Sequence, residues 1–207
     1  MEFPQGRILV FAKAPIPGQV KTRLAGQYGE QGAAHVYRDL ARWTLDYAAH
    51  ADLCRVQLWC APDTRHGFFW ACRRDYGVDL RTQKGIDLGR RMHHALSRTL
   101  RDCAYAILLG SDCASLNRDH LRSALRALAA GQDAVLGPAE DGGYVLVGLR
   151  QSCPRLFRNL NWSSRHVLPQ TRQRLKQAGL RWLELPMGWD VDHPDAVRRW
   201  RQQCREF

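Results

Sequence analysis

The segment that most restricts the fold runs Ala104-Tyr-Ala-Ile-Leu-Leu-Gly-Ser-Asp-Cys-Ala-Ser-Leu116. Its first part, Ala104–Leu109, is a short apolar run. Such a run reads as a strand buried on both faces, the kind found at the centre of a parallel sheet. It stops at Gly110-Ser111-Asp112, a sequence with no packing reason to be there. In open α/β sheets, ligands bind beyond the carboxyl ends of the strands. Asp112 at that edge is a hard oxygen ligand suited to Mg²⁺ or Mn²⁺. The alternative is a cap on the turn or helix that follows, a common use of Asp.

Strand and helix patterns alternate along the whole chain. Arg7–Ala12 reads as the first strand, Arg55–Ala61 as the second and Val78–Thr82 as a short third. Between them, Gln31–Ala51 carries Val36, Leu40, Trp43 and Tyr47 at helical spacing. Asp63 is the expected cap of a helix through Phe68, Phe69 and Cys72. Asp87 is the expected cap of a helix Leu88–Asp102, with Leu88, Met92, Leu96 and Leu100 on one face. The adjacent His93 and His94 point in different directions, a poor metal pair, and read as solvated. After the central strand, Asn117 is a good N-cap for a helix ending near Gly131. Ala134–Ala139 and Tyr144–Leu149 read as strands joined by the turn Glu140-Asp-Gly-Gly143. If they pair, one runs antiparallel. A helix from about Ser164 to Ala178, a strand Arg181–Leu185 and a basic helix Asp195–Cys204 complete the chain. The expected fold is a mostly parallel α/β sheet with helices on both faces. With no repeat or linker in 207 residues, 1–207 reads as a single domain.

The first strand leads into Lys13-Ala-Pro-Ile-Pro-Gly-Gln-Val-Lys-Thr-Arg-Leu24. Pro15 and Pro17 fix the path of this loop. Gly18 allows close backbone approach, and Lys13, Lys21 and Arg23 bring positive charge. A helix opening after it would add its N-terminal amides to an anion site. The loop is therefore a phosphate-binding candidate, or else an exposed basic loop. It is not a Walker A motif, since the Gly-Lys pair is missing and prolines cannot donate amides.

The net charge of +11 favours anionic partners. Nucleotides and phosphorylated metabolites fit. A nucleic acid fits less well, because no basic strand carries aromatic residues for stacking bases. Seven scattered cysteines without a Cys-x-x-Cys pair argue against a zinc site and a disulfide framework. They fit a reducing cytoplasm. No apolar run reaches the roughly 20 residues of a membrane span, and Ile8–Ala12 is too short for an export signal.

Four stretches together carry a family resemblance: Phe11–Leu24, Gly110-Ser-Asp-Cys113, Gly137-Pro-Ala-Glu-Asp-Gly-Gly-Tyr-Val-Leu-Val-Gly-Leu149 and Asp190-Val-Asp192. The chain resembles a bacterial family of small glycosyltransferase-A-like proteins, some labelled arsenosugar-biosynthesis glycosyltransferases. That family lies in the nucleotide-diphospho-sugar transferase superfamily and is similar to phospholactate and molybdenum-cofactor guanylyltransferases. The resemblance runs from Ile8 to about Val197. It implies a Rossmann-like, three-layer α/β/α glycosyltransferase-A fold with a nucleoside phosphate at the carboxyl edge. It implies that Lys13, Pro15, Gly18, Lys21, Arg23 and Ser111 form the nucleotide site. Asp112, Asp190 and Asp192 would hold Mg²⁺ or Mn²⁺. Asp141, Gly142, Gly143 and Tyr144 would face the second substrate. Departures from the family pattern are Ala114 for Pro, His193 for Thr and Ser164 for Thr; none removes a charged ligand.

The implied activity is transfer from an activated nucleotide, with Asp112, Lys21 and Asp141 as catalytic candidates. Glycosyl transfer from a nucleotide-diphospho-sugar is the first expectation. Nucleotidyl transfer from a nucleoside triphosphate to a phosphorylated metabolite is the second, and non-catalytic nucleotide binding the third. Base, sugar, acceptor and oligomeric state, including a homo-oligomer, stay open.

Overall fold

The computed structural model describes residues 1–162 and 164–204. Seven strands form one sheet: β1 (Gly6–Lys13), β2 (Arg55–Ala61), β3 (Asp79–Thr82), β4 (Tyr105–Gly110), β5 (Ala134–Pro138), β6 (Tyr144–Leu149) and β7 (Trp182–Glu184). Their order is β3-β2-β1-β4-β6-β5-β7. All neighbouring strands run parallel except at β6, which is antiparallel to both β4 and β5. The expected tight reversal at Glu140–Gly143 produces that exception.

Period-2 alternation divides each central strand between two cores. On β1, Ile8, Val10 and Ala12 face one core, while Leu9 and Phe11 face the other. The first core is covered by α1 (Ala25–Ala49), α2 (Gly67–Tyr76) and α4 (Arg118–Ala129), through Leu45, Phe69 and Leu125 among others. The second is covered by α3 (Leu88–Thr99) and α5 (Val167–Gln177), through Met92, Leu96 and Leu175. Each such side chain, buried fully, stabilises the fold by roughly 1.5–3 kcal/mol. The layers are therefore helix, sheet, helix. A third cluster joins α6 (Pro194–Gln203) to α1 through Val197, Trp200, Val36 and Leu40.

Most expected elements form within a few residues of their expected ends. Asp87 and Asn117 cap α3 and α4 as read from the sequence, accepting from Arg90 N and from Asp119 N and His120 N. Asp63 is a correction. Its carboxylate is held by Arg65, and His66 caps α2 instead, its Nδ1 accepting from Phe68 N. His93 and His94 are a second correction. They are half-buried rather than solvated; His94 sits edge-on to Trp59 with ring centroids 5.8 Å apart. Burial is the leading cause that lowers both imidazoles below their ordinary pKa. In the Trp162-Ser-Ser164 stretch, Ser163 lies outside the described residues. Among the described residues, no helix is long and apolar enough to cross a membrane.

Candidate active site

β1 and β4 are neighbours, so their carboxyl ends lie side by side. Ser111 N–H donates to Phe11 O at 3.0 Å, carrying the pairing one residue past β4. The chain then folds back so closely that a Cβ on Gly110 would stand 2.8 Å from Asp112 Oδ1. A side chain at position 110 would press on the Asp112 carboxylate and shift it from its place.

Asp190 and Asp192 reach the same spot by a ladder of backbone bonds. Leu185 N donates to Leu136 O, Gly188 N to Pro138 O and Glu140 N to Gly188 O. Val191 N then donates to Asp112 O at 3.1 Å. Ser115 fixes the segment from beneath: its Oγ donates to Trp189 O at 2.9 Å and accepts from Trp189 N at 2.7 Å. Val191 is fully buried beside Leu24 and Trp200. With Val191 turned inward, alternation puts Asp190 and Asp192 together on the other side. One oxygen from each of Asp112, Asp190 and Asp192 lies within 4.8 Å of the others. None of the three caps α6, whose N-cap is His193 without a side-chain cap bond.

The basic loop enters this cluster directly. Val20 and Leu24 are buried, in separate apolar clusters, and pin the loop on both sides of Lys21. Lys21 itself takes a left-handed backbone, φ 46° and ψ 43°. Its Nζ donates to Asp112 Oδ2 and to Asp192 Oδ1, each at 2.7 Å, with only 5% of the side chain exposed. Burial alone would lower the pKa of this ammonium; the two carboxylates outweigh burial and raise it well above the usual lysine value. Arg23, largely exposed, donates to Asp192 Oδ2 at 3.0 Å.

These cations hold Asp192 below the usual carboxylate range against the opposing effect of burial. Asp190 behaves oppositely. Burial first, then the charges of Asp192 and Asp112, push its pKa up to about 6. Among the described residues, none donates a hydrogen bond to its carboxylate. An under-compensated carboxylate beside two others fits a divalent oxygen-loving cation. Asp112, Asp190 and Asp192 would hold it.

The cluster opens into a cleft of about 520 Å³. Of the residues expected from the sequence, Lys13, Lys21, Arg23, Ser111, Asp112, Asp141, Tyr144, Asp190 and Asp192 line it. Pro15, Gly18, Gly142 and Gly143 do not. Pro15 faces a second groove between α1 and α2, and Gly18 turns at φ +76° beside Glu30. Both shape the loop from outside the cleft. Gly142 and Gly143 instead allow the turn that sets Asp141, whose Oδ1 accepts from Gly143 N at 2.9 Å. Glu140, the neighbouring carboxylate, is engaged by Arg199, which stacks over Trp189.

Several lining residues were not expected at the site from the sequence. Tyr37 accepts from Lys13 N at 2.7 Å and lies 2.8 Å from Ser111 Oγ. It ties the basic loop to the end of β4, and burial pushes its phenol up to about 12. Gln83 donates to Ala12 O and Trp59 O, closing the edge beyond β1 and β2. Leu88, Arg91 and Met92 of α3 complete the far wall.

Residues 44–164 match the profile of a family described as "Uncharacterized protein conserved in bacteria (DUF2064)". No curated protein matches the chain. Among solved structures, a candidate nucleotide-diphospho-sugar transferase from Desulfovibrio desulfuricans G20 shares 32% identity and a TM-score of 0.83. That match covers 92% of this chain and 83% of the other. CMP:2-keto-3-deoxy-manno-octonic acid synthetase, solved with CTP, matches at 9% identity and TM-score 0.63, over 98% and 100% of the two chains. 4-Diphosphocytidyl-2C-methyl-D-erythritol synthase from Anaerococcus prevotii DSM 20548 matches at 8% and 0.65, over 98% and 99%. At those low identities the last two share the fold alone. More than half of the chain lies within the family profile, and the protein belongs to the DUF2064 family.

Proposed function

We propose that this protein is a metal-dependent enzyme that transfers a group from an activated nucleotide. The observation that carries the reading is the meeting of Asp112, Asp190 and Asp192 with Lys21 and Arg23 at the mouth of one cleft. Carboxylates and cations in one place suit a polyphosphate whose charge is shared between a divalent ion and basic side chains. A bound Mg²⁺ or Mn²⁺ would supply charge neutralisation at the leaving phosphate. Lys13 and Arg23 bind the phosphates from the loop side. Ser111, held by Tyr37, presents the end of β4 to them. Asp141, exposed on its turn with one oxygen anchored, accepts the proton of an acceptor hydroxyl. Tyr144 shapes the acceptor end of the cleft.

Glycosyl transfer is the first form of the reaction. The bond between sugar carbon and phosphate breaks, the acceptor oxygen bonds to that carbon, and a nucleoside diphosphate leaves. The candidate nucleotide-diphospho-sugar transferase at 32% identity supports it, as does the resemblance to arsenosugar-biosynthesis glycosyltransferases. A specific observation favours the second form, nucleotidyl transfer. Lys13, Lys21 and Arg23 put three cations on one wall, suited to a triphosphate. There an acceptor phosphate bonds to the α-phosphorus and pyrophosphate leaves. The two separate by product. Incubation with Mg²⁺, candidate acceptors and each nucleotide class should release a nucleoside diphosphate from a sugar nucleotide. Pyrophosphate from a triphosphate, with every sugar nucleotide intact, selects the second form.

A further inference from the structure

Lys21 stands among the carboxylates, where a metal ion would repel it. Its ammonium bridges Asp112 Oδ2 and Asp192 Oδ1 at 2.7 Å each. Oxygens that bind Mg²⁺ do so at about 2.0–2.1 Å, so an ion on either oxygen lies within about 5 Å of Nζ. At that distance, in a half-buried site, two like charges oppose each other strongly. The pairing is not an accident of a loose side chain. Val20 and Leu24 are buried on both sides, and the backbone between them is left-handed at Lys21, an uncommon conformation for a residue other than glycine. The four-carbon stem nevertheless allows the ammonium to turn, and the cleft it lines is open beside it.

We propose that Lys21 is an exchangeable counter-ion. In the free protein it neutralises Asp112 and Asp192 and opposes the metal. When the metal arrives with a phosphate ligand, the ammonium leaves the carboxylates and pairs with a phosphate oxygen. Metal and phosphate therefore bind cooperatively through one side chain, and the metal alone binds weakly. This rests on the reading of the three carboxylates as metal ligands.

The test is Mn²⁺ binding without nucleotide, followed by electron paramagnetic resonance of the free ion near neutral pH. Wild type, Lys21→Met, Lys21→Arg and Asp190→Asn are compared. Lys21→Met should bind Mn²⁺ at least about tenfold tighter than wild type, the size by which one neighbouring charge shifts an ionic equilibrium. Lys21→Arg, which keeps the charge, should stay near wild type. Inorganic phosphate should raise Mn²⁺ affinity in wild type and leave Lys21→Met unchanged. Melting temperature provides a second readout: Lys21→Met should melt lower than wild type without metal, and Mn²⁺ should raise it by more. Equal or weaker Mn²⁺ binding by Lys21→Met, with Asp190→Asn clearly impaired, overturns the counter-ion role and leaves the metal site standing. Unimpaired Mn²⁺ binding by Asp190→Asn, or no binding by any variant, overturns the metal reading itself and the exchange with it.

Discussion

Arg23 and Lys21 sit side by side on the loop but answer different questions. Arg23 is mostly exposed, and its bond to Asp192 is screened by water, so its loss should hardly affect folding. A charge-assisted bond to phosphate is worth roughly 1.5–3 kcal/mol. Arg23→Ala should therefore weaken nucleotide binding by about ten- to a hundredfold, with an unchanged melting temperature; calorimetric titration showing full affinity would remove Arg23 from the site. Asp190 contributes to the pH response. Its folded pKa, about 6, lies above its ordinary value of 3.8. The folded state thus holds this proton longer than the unfolded chain does, and stability falls as pH rises through that window. Comparison of Asp190→Asn with wild type in a chelator isolates the effect. The variant should gain stability over wild type between about pH 4 and 6 and keep the gain above, because Asn never ionises. Two parallel melting curves across that range would contradict the assignment.

At the scale of elements, the sequence was readable where a signal is local. The run at β4 and the Asp-Gly turn before β6 are local patterns, and so are the caps Asp87 and Asn117. Asp63 misled because cap residues look alike in sequence, and an arginine two residues on took its carboxylate. Tyr37, Gln83 and Ser115 were illegible for a different reason. Each acts through two polar contacts far along the chain, and no spacing announces such contacts. The meeting of Asp112 with Asp190 and Asp192 was expected through the family resemblance; the ladder that produces it is backbone bonding. Ser115 tests that ladder. Ser115→Ala removes both bonds to Trp189, at a cost of about 1–3 kcal/mol in stability. Mn²⁺ affinity should fall although every ligand remains. Unchanged affinity would show that the backbone bonds alone hold the segment.

At the scale of the molecule, two cores grip the sheet and leave its carboxyl edge open. The third cluster, where α6 meets α1, lies directly behind Asp190 and Asp192 through Val191. Trp200→Ala should therefore do more than destabilise by about 3–5 kcal/mol, the usual loss for a buried aromatic. Mn²⁺ should restore part of its lowered melting temperature, since the ion would reorder the segment that Trp200 supports. A stability loss with no metal rescue would separate α6 from the site. The net charge of +11 belongs to the whole surface and draws anions toward it.

In the proposed function, one cleft binds a divalent ion on Asp112, Asp190 and Asp192 and a nucleotide's phosphates on the adjoining cations. A crystal grown with Mn²⁺ and the nucleotide that most raises the melting temperature tests it most directly. The expected result is an anomalous Mn²⁺ peak bonded to oxygens of all three aspartates, with phosphate oxygens on the ion and on Lys21 and Arg23. A nucleotide seated elsewhere, or an Mn²⁺ peak away from these carboxylates, would contradict it.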